Sequence, residues 1–72
     1  MYNLFMTREQ LGKNIKKARE EKGITQEELA EKAGVHVSYI SRIERGVANP
    51  THDLLESIGK ILKMKASDLL SL

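Results

Sequence analysis

QEELAEKAGVHVSYISRIER, residues 26–45, decides the fold of this chain. Leu29, Ala30 and Ala33 recur at helical spacing before the glycine, and Ile40 and Ile43 do so after it. The stretch therefore reads as two short helices with Leu29, Ala30, Ala33, Val35, Ile40 and Ile43 facing inward. The small side chain of Ala30 lets the helices cross closely, and Gly34 permits the sharp bend between them.

Outward from this pair, caps and apolar spacing predict five short helices. Thr7-Arg8-Glu9-Gln10 has capping-box form, and Leu11, Ile15 and Ala18 continue that helix until Gly23 stops it. Thr25-Gln26-Glu27-Glu28 is a second capping box. The third helix spans about Val37 to Arg45, with Gly46 just beyond its end. Val47-Ala48-Asn49-Pro50 is a loop, because proline disfavours a helical residue before it. Thr51 caps a fourth helix carrying Leu54, Leu55, Ile58, Ile61 and Leu62 inward, and Ser67 caps a last turn with Leu69 and Leu70. Gly12 and Gly59 fall inside predicted helices, where each costs up to ~1 kcal/mol relative to alanine. Close approach of a neighbouring helix is the expected reason. Nothing alternates with period two, so the fold class is all-α.

Two helices meeting at a glycine turn form the layout of a helix-turn-helix, whose second helix enters the DNA major groove. Composition neither supplies nor forbids that partner. The 72 residues suit one small domain, expected over residues 7–72 behind an N-terminal arm, 1–6. Twelve Lys+Arg against ten Asp+Glu leave a net charge of only +2. Lys13, Lys16, Lys17, Arg19 and Lys22 are clustered, as are Glu27, Glu28 and Glu31, a pattern that solvated helix faces also show. The absence of cysteine excludes disulfides and suits a reducing cytoplasm. No apolar run approaches ~20 residues, so no membrane span is expected.

With Ile40 and Ile43 turned to the core, a helical wheel puts Ser38, Ser41, Arg42 and Arg45 on the opposite face, with Val37 at its edge. Arg42 can give two hydrogen bonds to guanine O6 and N7, worth ~1–3 kcal/mol of discrimination. Ser38 and Ser41 can donate or accept at a base edge, and Val37 can meet a thymine methyl. Arg45, nearer the helix end, is placed to reach a phosphate. Gln26, in the first turn of its helix, either holds a phosphate with the free N–H groups there or is an ordinary exposed glutamine. Tyr39 either touches the DNA backbone with its hydroxyl or simply packs half-buried. His36 either caps the third helix poorly or meets a phosphate.

One charged pair is expected to be structural. Arg19 shares the face of Leu11, Ile15 and Ala18, where an unpaired charge is costly, and Glu44 lies beside Ile40 and Ile43. They are expected to pair between the first and third helices. His36 and His52 have no partners at metal-ligand spacing, so no metal or other cofactor is expected. No nucleophile–base arrangement or phosphate loop is found, and an enzyme is not expected.

The segments IKKAREEKGITQEELAEKAGV, SYISRIERG and LLESIGKILKM, with Pro50 between the last two, resemble the Cro/cI-type, lambda-repressor-like (XRE) helix-turn-helix family of bacteria and phages. The resemblance runs from Leu11 to Leu70. It implies a compact five-helix domain that binds operator DNA as a two-fold dimer. It also implies that Gln26 contacts backbone, that Val37, Ser38 and Arg42 face bases, and that Arg19 pairs with Glu44. Two departures stand out: His36 replaces the family's Ser or Thr cap, and Gly59 replaces an alanine.

These readings converge on a cytoplasmic transcriptional regulator, nucleoid-associated when bound, that consists of little more than its domain and binds double-stranded DNA as a homodimer. Leu69, Leu70 and Leu72 are candidate dimer contacts, or Leu69 and Leu70 merely close the core. Controller proteins, phage repressors and antitoxins all fit this size, the last adding a protein partner. A protein-interaction adaptor on the same fold is the rival reading.

Overall fold

The computed structural model describes residues 6–70 as five helices: α1 Arg8–Glu21, α2 Gln26–Ala33, α3 Val37–Glu44, α4 His52–Ile61 and α5 Ala66–Leu69. Local chemistry sets most of the boundaries. The Thr7, Thr25 and Thr51 hydroxyls accept from the N–H groups of Gln10, Glu28 and Leu54, satisfying donors that a helix start leaves without carbonyl partners. At α2 the box is reciprocal, because Glu28 Oε1 accepts from the Thr25 N–H at 2.9 Å.

That bond holds the Glu28 carboxyl below its ordinary value of 4.5, the backbone N–H of Thr25 being the main cause. A depressed carboxylate stabilises the fold above its unfolded-state pKa and loses that contribution as pH falls through the folded value. Glu28→Ala is therefore expected to lower the thermal midpoint near neutrality. The gap to wild type should start to narrow as pH falls below the ordinary 4.5 and close once pH lies below the depressed folded-state value, where both states bind the proton. A gap that stays constant from neutral to acid would show that the carboxylate charge plays no part.

α3 packs on α1 and α2, α4 on α2 and α5, and α5 closes back on α1. Ile15, Leu29, Ile40, Ile43, Leu55, Ile58, Leu62 and Leu69 are each less than 2% exposed, so every helix contributes to one core. Gly34 ends α2 with φ 72° and nothing within 4 Å of the position a Cβ would take, so its role is purely conformational. Gly46 combines φ 80° with a site where a Cβ would lie 2.8 Å from Glu9 Cα, locking the end of α3 against the start of α1.

The last helix departs from expectation. Its N-cap is Lys65 rather than Ser67, and the Asp68 carboxylate accepts from the Lys65 N–H at 3.1 Å. The turn before it explains the earlier start. Lys63 adopts φ 58°, and the N–H groups of Lys63 and Met64 return to the Lys60 and Gly59 carbonyls in a Schellman-type ending. A left-handed non-glycine residue costs about 1–2 kcal/mol, partly offset in glycine by its greater chain entropy. Lys63→Gly is expected to stabilise the domain by about 0.5–1 kcal/mol, raising the thermal midpoint by roughly 2–8 °C. A lower midpoint in calorimetry would refute that account.

One further expectation is corrected. Leu69 is 1% exposed and belongs to the core, so it offers no surface for a dimer contact. Met6, assigned to the arm, is half-buried against the same core. Leu72 and residues 1–5 lie outside the described residues.

Candidate nucleic-acid interface

The candidate surface is built on one buried carboxylate. Glu44, at the end of α3, is 7% exposed, and Arg19 of α1 is 8% exposed. Arg19 Nε and Nη2 donate to Glu44 Oε2 at 2.7 Å and Oε1 at 3.0 Å, a two-point contact only a guanidinium can make. Arg19 Nη1 also donates to the Ile24 carbonyl at 2.8 Å, tying the α1–α2 turn to the pair. The hydrogen bond to Glu44 is the main reason the Arg19 pKa is raised above its already high ordinary value. A raised basic pKa keeps its stabilisation at every pH below the unfolded value, so the Arg19 side of the pair is insensitive to pH across the physiological range.

Glu44 has a third donor that sequence reasoning missed. Gln26 Nε2 donates to Glu44 Oε1 at 2.9 Å. The two residues are separated by a helix, a turn and another helix, and no local pattern links them. This bond fixes the Gln26 side chain at the start of α2 with one amide N–H committed inward. The backbone N–H groups of Gln26 and Glu27 precede any available carbonyl and point out of the helix end, where an anion is favoured.

α3 carries the rest. Ile40 and Ile43 are at most 1% exposed, which turns Ser38, Arg42 and Arg45 to solvent. Ser41 is half-buried, and Val37 is half-buried against the core, so only part of its side chain is available outside. Tyr39 donates its hydroxyl to the Asn49 carbonyl at 2.9 Å, bracing the α3–α4 loop. Its proton is thus committed within the chain, and a phosphate contact by that hydroxyl requires breaking this bond. The Arg42 guanidinium carbon lies 6.0 Å from the Tyr39 ring centroid, at the outer limit of a cation–π contact. Tyr39 therefore supports both the loop and the arginine. His36 is the N-cap of α3, its Nδ1 accepting from the Ser38 N–H at 3.1 Å. An imidazole takes the place the resemblance assigns to a hydroxyl.

The basic cluster of α1 divides. Arg19 is buried and paired, whereas Lys13 and Lys17 line a groove of about 530 Å³ between α1 and α5 that Glu21 and Asp68 share. Arg42 in α3 and Arg45 at its C-cap are the exposed cations of this segment. Among the described residues no group of three or more His, Asp or Glu could hold a metal ion, and no helix is long and apolar enough to cross a membrane.

The HTH_3 helix-turn-helix family model matches residues 15–69. The chain is 46% identical over 61 residues to the transcriptional regulator SinR of Bacillus subtilis, covering 83% of this chain and 55% of SinR. It is 40% identical over 60 residues to the control protein C.BamHI of Bacillus amyloliquefaciens, covering 82% of this chain and 74% of that one. Among solved structures it resembles SinR, the master regulator for biofilm formation, in complex with DNA. There the TM-score is 0.80 at 45% identity, covering 85% of this chain and 98% of that one. The chain spans about half the length of SinR. Two helices crossing at Gly34, five helices around one core, and a family match across most of the chain agree: this protein belongs to the helix-turn-helix family.

Proposed function

We propose that the chain is a sequence-specific DNA-binding transcriptional regulator that reads the major groove with α3. The observation that carries this is the arrangement around Glu44. One buried carboxylate fixes both the reading helix and Gln26, whose neighbouring N–H groups are placed for a phosphate. Ser38, Ser41 and Arg42 read base edges, with Val37 at the margin. Gln26, His36 and Arg45 hold the DNA backbone, and Tyr39 contributes by bracing Arg42 and the loop. The likeness to SinR in its DNA complex supports the same use of the fold. Two copies related by a two-fold axis would place their α3 helices in major grooves about 34 Å apart. Leu70, half-buried at the end of α5, remains a candidate for the contact between copies. Steric competition with polymerase makes repression the natural outcome.

Selection of bound duplexes from a random-sequence pool at physiological salt tests this, because phosphate contacts alone dominate at low salt. Enrichment of an inverted repeat with half-sites one helical turn apart is expected. Arg42→Ala should relax one column of the selected motif, losing ~1–3 kcal/mol of discrimination there. A pool that stays random would overturn the reading and favour a protein-docking adaptor.

A further inference from the structure

The geometry points to a hydrogen-bonded pair, His36–Ser38, that makes Ser38 an acceptor-only reader of base edges. The inference rests on α3 being the base-reading helix. His36 Nδ1 lies 3.1 Å from the Ser38 backbone nitrogen and 2.8 Å from the Ser38 hydroxyl oxygen. The backbone N–H can only donate, so Nδ1 must present a lone pair and the neutral ring carries its proton on Nε2. Against that lone pair the hydroxyl can bond only by donating. Its proton is then committed to the imidazole, and the oxygen turns only lone pairs toward solvent.

A serine at a base edge is ordinarily ambiguous, because a free hydroxyl can donate or accept. Here the ambiguity is removed by a residue outside the reading face. Adenine N6 and cytosine N4 offer amine donors in the major groove, whereas guanine O6 and N7 and thymine O4 are acceptors. Ser38 therefore selects adenine or cytosine at its position and repels guanine and thymine. His36 acts as a positioning residue: it caps α3, sets the polarity of Ser38, and leaves Nε2–H at the exposed end of the ring to donate to a phosphate.

The test compares motifs selected from a random pool by wild type, Ser38→Ala and His36→Gly. Glycine at an N-cap costs only a few tenths of a kcal/mol relative to a good cap, so the last variant should remain folded. Wild type should hold one column of each half-site to adenine or cytosine on the strand Ser38 contacts, and Ser38→Ala should reduce that preference roughly five- to tenfold in that column alone. His36→Gly, which frees the hydroxyl to donate, should admit guanine or thymine in the same column. Nitrogen-15 NMR of the neutral imidazole supplies a readout independent of DNA. A pyridine-type Nδ1 supports the pair, and a protonated Nδ1 overturns it. A column unchanged by His36→Gly overturns it too. A random wild-type pool overturns the regulator reading and the base-reading role of Ser38 with it. Enrichment with no column sensitive to Ser38→Ala overturns this assignment alone.

Discussion

Replacing Arg19 with alanine is expected to remove about 3–5 kcal/mol of stability, the cost of stranding one member of a buried ion pair. Glu44 would keep a single side-chain donor, Gln26, for a carboxylate whose side chain is 2% exposed. A domain of this length has roughly 4–11 kcal/mol to lose, so the variant should be marginal at best. The thermal midpoint should fall by roughly 12–40 °C. Arg19→Lys should recover little, because an ammonium cannot reproduce the two parallel bonds to Glu44. Replacing both partners by methionine should be less damaging than either single change, since no uncompensated charge is left inside. Thermal or urea denaturation of the two single variants and the double variant closes the cycle. A loss below ~1 kcal/mol for Arg19→Ala would place the pair with ordinary surface bridges and refute its anchoring role.

Gly12→Ala is expected to be destabilising although it improves helix propensity. In an exposed helix the exchange gains about 1 kcal/mol. Here the added Cβ would collide with the Ile43 carbonyl oxygen and lie 2.7 Å from that of Glu44. Both obstacles are backbone at the end of α3, so no side chain can swing aside. α1 and α3 must instead separate, disturbing the face that carries Ile15, Ile40 and Ile43. The net loss should be about 2–3 kcal/mol, toward the upper end of overpacking costs. Gly59→Ala is the internal comparison: its Cβ would meet the Met64 carbonyl at 2.9 Å, in a turn rather than a helix, and should cost less. A Gly12→Ala variant more stable than wild type in chemical denaturation would show that the two helices do not approach this closely in solution.

These two residues also show how far sequence reading reaches. Gly12 signals a close neighbour because glycine is a poor helix residue, yet nothing in its surroundings names α3 as that neighbour. Arg19 and Glu44 signal partial burial by sharing a face with apolar residues, and the family resemblance suggests their pairing. The third partner, Gln26, carries no comparable mark. Its amide is equally at home in solvent, so its bond to Glu44 follows only from where α2 and α3 cross. Tyr39 is similar: half-burial is legible from the wheel, but the Asn49 carbonyl that receives its proton belongs to a loop without periodicity.

The chain ends follow the same logic. The threonine caps at positions 7, 25 and 51 are legible because each donor and acceptor lie within three residues. Ser67 is equally suitable by type, yet Lys65 is the cap and the helix starts at Ala66, an arrangement tied to the rest of the chain by Asn14 Nδ2, which donates to the Leu69 carbonyl at 2.9 Å. What the sequence by itself determined is the all-α class, the turn at Gly34 and the helices around it. Those rest on interactions within about four residues and on apolar spacing, which survive without knowledge of the rest of the chain. Only the tertiary structure decided which carbonyls exclude a side chain at Gly12, that Leu69 is core rather than surface, and that Glu44 gathers Arg19 and Gln26. Each of those depends on groups far apart in sequence whose distance is set by the packing of whole helices.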